Sequence, residues 1–319
     1  MKYNLLGRTG MKVSRLSYGT SALGGIFRAV QESDAIRAVH VALDCGINYF
    51  DVVLAYGGTR AETILGSALK GIPRDKFFLS TKVGKYTSPD GYGADTFDFS
   101  AKRIRTSLNE SAARLGTDYF DLIHLHDLEY QQRRHVEQAL GEGLATLQTL
   151  KREGRIGAGG CGVYPMDLWQ RILLDYEFDA VLTHNHYLLN ETRLLEMLPL
   201  AQKKNIGVIN ASPFGMGMLT ERGPAEWHPA SAEIRQVFRN AAEFSRRQST
   251  DISKLALQFA RQHPDIPTTM FSSASAESIR RNVQWHEEPF DPALFAQVQQ
   301  LLQPVFNLQW VFESNTTTK

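Results

Sequence analysis

Close to eight times along this chain a strand-like run, mostly apolar, β-branched or aromatic but glycine-heavy at 156–160, is followed by a stretch with helical spacing. That alternation constrains the fold more than any other feature of the sequence. Strands are read at 16–18, 47–50, 77–81, 119–125, 156–160, 179–183, 206–210 and near 268–271. Helices are read after them, from Ser33 or Asp34 to Asp44, then at 60–70, 100–115, 134–152, 166–174, 190–204, 251–262 and 275–285. Strands alternating with helices argue for a parallel sheet. Eight such units in about 250 residues suit a (β/α)8 TIM barrel better than an open doubly wound sheet. No G-x-G-x-x-G follows the first strand, where a dinucleotide-binding open sheet would carry one. No low-complexity linker interrupts the chain, so residues 1–319 are expected to form one domain.

The punctuation agrees with this reading. Ser33 or Asp34 is expected to cap the first helix, and Gly46 to stop it. The Gly57-Gly58 pair breaks the strand before it, and Thr59 is expected to cap the next helix. A Gly-rich loop is read between the strand at 77–81 and the helix at 100–115. Ahead of the repeat, Tyr3–Leu6 and Met11–Ser14 flank a Gly-Arg-Thr-Gly turn and read as a β-hairpin, expected to plug the N-terminal mouth of the barrel. Two segments do not fit the repeat: an insertion at 211–250 and a tail at 290–319. Long loops on the C-terminal face of a barrel are commonly lids or specificity elements.

Charge and cysteine content narrow the class. The net charge is +1, so no overall field recruits nucleic acid or an anionic membrane. Cys45 and Cys161 are too few for a disulfide framework and lack a metal-ligand spacing. The first residues carry no apolar h-region, and no uncharged run approaches the roughly eighteen residues of a membrane span. A reduced, cytoplasmic protein with no bound metal is expected.

Four chemistry-bearing residues stand just past strand ends. Asp51 closes 47–50, Tyr56 lies five residues later before Gly57-Gly58, Lys82 closes 77–81, and His126 closes 119–125. In a barrel of this kind the chemistry sits on that C-terminal face. Singly, a strand-end Asp or Lys is ordinarily a surface residue, and His124 and His126 alternate, so one of them can be a core histidine. Four at successive exits on one face form a site. A tyrosine serves as general acid or base when a nearby ammonium stabilises its phenolate and a carboxylate holds that ammonium. A histidine can orient the substrate oxygen and share the proton. The set suits proton transfer at a carbinol or carbonyl oxygen while hydride moves on carbon. No side chain supplies hydride, so a cofactor is required.

The chain resembles the aldo-keto reductases nearly end to end. The phrases carrying the resemblance are Leu6–Ser14, Asp51–Glu62, Thr81-Lys82-Val83, Asp121–His126 and Ser212–Gly217. The resemblance implies a catalytic tetrad of Asp51, Tyr56, Lys82 and His126 in a barrel that binds NAD or NADP. Within the family, Ile209–Pro213, Met216–Thr220, Gly223–Ala230 and Pro304–Trp310 are similar to the L-galactose dehydrogenase and aldose 1-dehydrogenase group. That narrower resemblance implies oxidation of the anomeric carbon of a free aldose to a lactone. Trp227 and Trp310 would then offer aromatic faces to the sugar beside Tyr56 and His126, or else pack a lid.

The implied cofactor contacts are Thr20, Asp51, Cys161, His184, Ser212, Pro213, Phe214, Met216, Ser273, Ser278 and Asn282. Several depart from the family pattern. Cys161-Gly162 stands where family members often carry Ser-Asn, His184 where they carry Gln, and Ala211 where an aromatic stacks on the nicotinamide. NADP-preferring relatives carry Lys near position 272 and Arg near 278. Here Ser272 and Ser278 cannot neutralise a 2′-phosphate, which favours NAD, although Arg280 and Arg281 lie nearby. Three functions follow for comparison: an NAD-dependent dehydrogenase of L-galactose, L-fucose or D-arabinose type sugars; an NADPH-dependent reductase of small aldehydes or ketones; and a non-catalytic cofactor-binding regulatory subunit, against which the intact tetrad counts.

Overall fold

The computed structural model describes residues 1–88 and 91–310, without the side chains of 87–95. A hairpin of β1 (Tyr3–Leu5) and β2 (Lys12–Ser14) opens the chain. The barrel strands are β3 (Leu16–Gly19), β4 (Tyr49–Asp51), β5 (Phe78–Val83), β8 (Phe120–His126), β9 (Ile156–Gly162), β10 (Ala180–His184), β11 (Gly207–Ala211) and β12 (Thr268–Phe271). They pair in parallel in that order, and β12 closes on β3 with Thr269 opposite Leu16. The expected (β/α)8 barrel is the observed fold.

The helices after the strands are α1 (Glu32–Asp44), α2 (Arg60–Leu69), α3 (Ala101–Leu115), α4 (Val136–Gln138) continuing through a π turn into α5 (Leu144–Arg152), α6 (Met166–Asp175), α7 (Leu194–Lys203), α9 (Ile252–Ala260) and α10 (Ala276–Glu287). The insertion after β11 carries α8 (Ala232–Arg247), and the tail carries α11 (Pro292–Leu301).

The strand pleat sorts side chains with a period of two. Tyr49, Leu122, Ala158, Ala180, Leu182, Ile209 and Met270 point inward and form one cluster with Leu6, Met11 and Val13 of the hairpin. Phe50, Leu79, Ile123, Leu125, Cys161 and Val208 point outward to the helices in a second, larger cluster. The hairpin therefore closes the N-terminal mouth, as expected. Its turn lies so close to β11 that a Cβ on Gly7 would stand 2.2 Å from Gly207 N, and Arg8 N–H donates to Asn205 O at 2.8 Å.

Several local expectations are corrected. Helix α1 starts at Glu32 after Gln31, with no side-chain cap from Ser33 or Asp34. Thr59 precedes α2 in a left-handed conformation (φ 74°), which turns its hydroxyl away from the capping role. The loop at 84–99 contains an antiparallel hairpin, β6 (Lys85–Ser88) with β7 (Gly91–Phe97). Residues 134–152 are not one regular α-helix, because Ala139–Gly143 widens into a π turn. Helix α7 begins at Leu194 rather than 190, because Leu188 and Glu191 pair across a tight turn first.

Gly7 (φ +51°) and Gly10 (φ +78°) share left-handed backbone, yet only Gly7 lacks room for a Cβ. Gly10→Ala should cost about 1 kcal/mol from conformation alone. Gly7→Ala should cost at least about 2 kcal/mol more through overpacking against β11. Urea midpoints of the two variants measure the difference, and equal losses would refute the plugged mouth.

Candidate active site

Strand register builds the centre. Asp51 is opposite Ser80, Lys82 opposite His124, and His126 opposite Gly162, so all the charged and imidazole groups fall on inward pleat positions near the C-terminal ends. The Lys82 ammonium pairs with Asp51 Oδ1 and lies 3.3 Å from Val52 O. Ser80 Oγ donates to Asp51 Oδ2 at 2.6 Å, and the Tyr49 hydroxyl lies 2.9 Å from Ser80 Oγ. Thr81 points the other way and donates to Glu62 on α2, which also holds Arg114. The Asp51–Lys82 pair is thus anchored from below and behind.

Tyr56 reaches this pair from the β4–α2 loop. The Lys82 ammonium lies 6.0 Å from its ring centre. The loop is fixed by backbone packing, since a Cβ on Gly57 would stand 2.1 Å from Gly24 O and one on Gly24 would stand 2.7 Å from Tyr56 O. The glycine after Tyr56 is therefore a close-approach residue as well as a turn. Thr20 N–H donates to Asp51 O at 3.0 Å and binds the neighbouring loop to the same point.

His124 lies one inward layer below His126, where a Cβ on Gly160 would stand 2.5 Å from its Nδ1. It is the core histidine of the alternating pair, with its imidazole pushed down to about 4 chiefly by burial. His126 is at the strand exit. Burial, and then the Lys82 and Lys85 charges, push it down to about 3 despite the pull of Asp127. Its Nε2 lies 3.3 Å from Asp127 Oδ1, while Nδ1 is buried with no hydrogen-bond partner among the described residues.

The sequence reading missed three neighbours of His126. Lys85 donates to Asp127 Oδ2 at 2.8 Å and sits 4.4 Å from the Tyr130 ring centre. Burial would raise the Asp127 carboxyl, yet His126 and Lys85 outweigh it and hold that group below the usual carboxylate range. Glu129 accepts from Tyr164 N–H at 2.8 Å, and burial, then the Asp127 charge, push its carboxyl up to about 8. A charge three residues past Lys82 and another directly after His126 were the available signals.

The expected cofactor residues scatter around the same face. The Thr20 hydroxyl is buried and unpartnered among the described residues, as are both amide atoms of Asn185 just beyond β10. His184 stacks on Tyr164 with ring centres 5.0 Å apart. Ser212 and Met216 adopt left-handed φ of 62° and 53° in the turn that holds Pro213 and Phe214. The Tyr18 hydroxyl contacts Ser273 O, Ser273 Oγ accepts from Ser275 N–H at 3.1 Å, and Ser278 N–H donates to Ser275 Oγ at 3.2 Å to start α10. Asn282 is buried further along that helix. Cys161 departs from expectation. Its thiol points outward into the sheet–helix core, so only its backbone can meet a ligand in the lumen.

Trp227 and Trp310 meet at a residue the sequence reading did not single out. His228 lies 4.6 Å from the Trp310 ring, edge to face, and 6.2 Å from that of Trp227. Trp227 also stacks on Phe27 from the β3–α1 loop at 6.3 Å, and Trp310 N–H donates to the Tyr164 hydroxyl at 3.0 Å. The insertion and the tail therefore converge over the barrel mouth. The part of the expected tail beyond Trp310, residues 311–319, lies outside the described residues.

Residues 15–303 match the Aldo/keto reductase family. The chain belongs to that family. It is 38% identical to an L-galactose dehydrogenase of Arabidopsis thaliana over 96% of this chain and 95% of the relative. A D-threo-aldose 1-dehydrogenase of a Pseudomonas species is 28% identical over 91% of this chain and 94% of its own, and a D-arabinose 1-dehydrogenase of Saccharomyces cerevisiae is 32% identical over 78% and 75%. Among solved structures, a holo-form aldo-keto reductase of Bacillus halodurans superposes with a TM-score of 0.77 at 27% identity, covering 95% of this chain and 96% of that one. The protein is thus a nicotinamide-dependent oxidoreductase acting on CH–OH groups. Among the described residues no helix is long and apolar enough to cross a membrane.

Because its depressed folded value lies below the ordinary imidazole value of about 6.5, His126 should remain neutral throughout pH 5–8. Stability is lost as pH falls from about 6.5 toward about 3, where the unfolded chain takes up a proton that folded His126 refuses. Its imidazole NMR resonance, assigned against His126→Gln, should not move between pH 8 and 5. A midpoint near 6.5 would refute the buried, cation-flanked environment.

Proposed function

We propose that this enzyme is an NAD-dependent aldose 1-dehydrogenase that oxidises C1 of a free aldose, of L-galactose, L-fucose or D-arabinose type, to the lactone. The observation that carries the reading is the 38% identity to an L-galactose dehydrogenase over nearly the full length of both chains. The joined Trp227, His228 and Trp310 rings support it, since aromatic surfaces suit the C–H faces of a sugar.

The site fits a nicotinamide dinucleotide. The orphaned Thr20 hydroxyl and Asn185 amide are buried polar groups in want of partners at strand exits, and the N-terminal end of α10 favours a phosphate. Thr20, His184 and the 212–216 turn would hold the nicotinamide end; Ser273, Ser278 and Asn282 would hold the adenosine end. When bound, the cofactor accepts the hydride. Ser272 is occupied in accepting from Ala22 N–H at 2.9 Å and carries no charge. The Arg281 guanidinium lies 4.9 Å from the Trp285 ring, engaged along its own helix. Both features support NAD over NADP.

In this reading the Tyr56 phenolate takes the proton of the C1 hydroxyl. Lys82 favours that oxyanion by charge, and Asp51, fixed by Ser80, keeps Lys82 in place. Neutral His126 donates from Nε2 to the same substrate oxygen and orients it. The small-molecule substrate enters beneath the aromatic cover.

Purified protein offered L-galactose, L-fucose and D-arabinose with NAD or NADP should reduce NAD in preference, read at 340 nm. Tyr56→Phe should lower kcat at least about 100-fold, as loss of a general acid–base group does. Unchanged turnover in that variant would remove Tyr56 from the mechanism. NADPH-dependent reduction of small aldehydes, with no sugar oxidised, would replace the dehydrogenase reading.

A further inference from the structure

Lys85 and Asp127 form a second buried ion pair on the catalytic face, 2.8 Å apart, with side chains 7% and 12% exposed. Nothing in the proton transfer uses it. The pair is nonetheless held from several sides. Gly84, with φ +101° and no room for a Cβ against Phe99, turns the chain between Lys82 and Lys85. The Lys85 ammonium is roofed by Tyr130 at 4.4 Å and Phe97 at 6.0 Å. Asp127 is in left-handed backbone (φ 54°), and its N–H donates to Gly162 O at 2.9 Å.

Removing two charges from water costs free energy that their mutual attraction recovers only with good geometry and further hydrogen bonds. Folding therefore gives weak reason to bury this pair, and its position gives a stronger one. Asp127 Oδ1 lies 3.3 Å from His126 Nε2, the imidazole nitrogen left for the substrate because Nδ1 is enclosed. A substrate oxygen bonded to Nε2 has Asp127 Oδ1 as its neighbour. Hydroxyls on adjacent ring carbons of a sugar place their oxygens about one hydrogen-bond length apart, near 2.8 Å. One hydroxyl on Nε2 thus brings the next to the carboxylate and ammonium.

We propose that Asp127, backed by Lys85, recognises the hydroxyl on the carbon adjacent to the one oxidised, so that the enzyme selects substrates bearing a 2-hydroxyl. The inference rests on the aldose reading above. The hydroxyl donates to Asp127 Oδ1 and accepts from the Lys85 ammonium, which a C–H bond cannot do. A site built to bond a hydroxyl rejects the analogue lacking it more strongly than an apolar pocket rejects a change of size, because its own polar groups are left unpaired.

The test compares kcat and KM for D-arabinose and 2-deoxy-D-ribose, which differ only at C2, or for L-galactose and its 2-deoxy analogue if that aldose is the better substrate. Wild type, Asp127→Asn and Lys85→Gln are measured with the preferred nicotinamide. Wild type should lose at least about 100-fold in kcat/KM on deoxygenation. Asp127→Asn should shrink that ratio at least tenfold by losing the aldose selectively, with Lys85→Gln intermediate. Lys85→Gln and the wild-type ratio still decide the matter if Asp127→Asn fails to fold. A wild-type enzyme indifferent to the 2-hydroxyl, or variants that lose both substrates equally, would overturn the inference and leave the sugar reading standing. Oxidation of no aldose by wild type would overturn the sugar reading and this inference with it.

Discussion

The lumen of a closed eight-stranded barrel receives every second side chain of each strand, and one ion pair there organises the catalytic face. Lys82 and Asp51 are brought together by the pairing of β4 with β5, two inward positions from neighbouring strands. Buried charges need partners beyond each other. Ser80 and, behind it, Tyr49 supply them to the carboxylate, and Val52 O supplies one to the ammonium. Below this layer the lumen turns apolar and is closed by Leu6, Met11 and Val13. The charged layer is therefore as deep as solvent-dependent chemistry can extend, and the hairpin keeps water from reaching it from beneath.

Charges above that layer are graded. Lys82 and Lys85 both bear on His126, while Asp127 draws it the other way, and burial decides the outcome in favour of the neutral ring. A neutral imidazole offers one N–H donor and one acceptor, whereas a protonated one would be a second cation beside Lys82. The site thus holds a fixed positive charge, Lys82, near the phenol and keeps its hydrogen-bond donor uncharged. Glu129, raised first by burial and then by the Asp127 charge, adds a like-charge pair kept from ionising together.

Strand and helix alternation, and with it the barrel, were legible because buried parallel strands are nearly continuous apolar runs. The alignment of Asp51, Lys82 and His126 was legible for a related reason: a polar residue at the end of such a run has only the strand exit to occupy. Less visible was anything depending on backbone approach. Gly57 reads as a turn signal, but its contact with Gly24 involves a residue 33 positions away that no local pattern links to it. Cys161 read as a lumen residue by its place in a motif, whereas its pleat partner Leu125 faces outward and takes it along. Thr59 looked like a cap by type, but its left-handed φ removed the geometry a cap requires.

The long loops show the same division between composition and geometry. Trp227 and Trp310 stood out as large aromatics on expected lids, yet 83 positions of sequence separate them and neither implies the other. Their meeting depends on His228 as a spacer and on the tail being tied down. Asn307 N–H donates to Asn190 O, Asn190 Nδ2 donates to Val305 O, and Thr192 N–H donates to Asn307 Oδ1. Those bonds hold the tail to the β10–α7 turn, the same turn that delayed the start of α7. The four residues by which sequence reading started that helix too early, 190–193, thus carry the docking site for the tail rather than slack. A cover assembled from two distant segments can shape a sugar pocket without touching the barrel strands, which leaves the proton-transfer geometry intact while specificity changes around it.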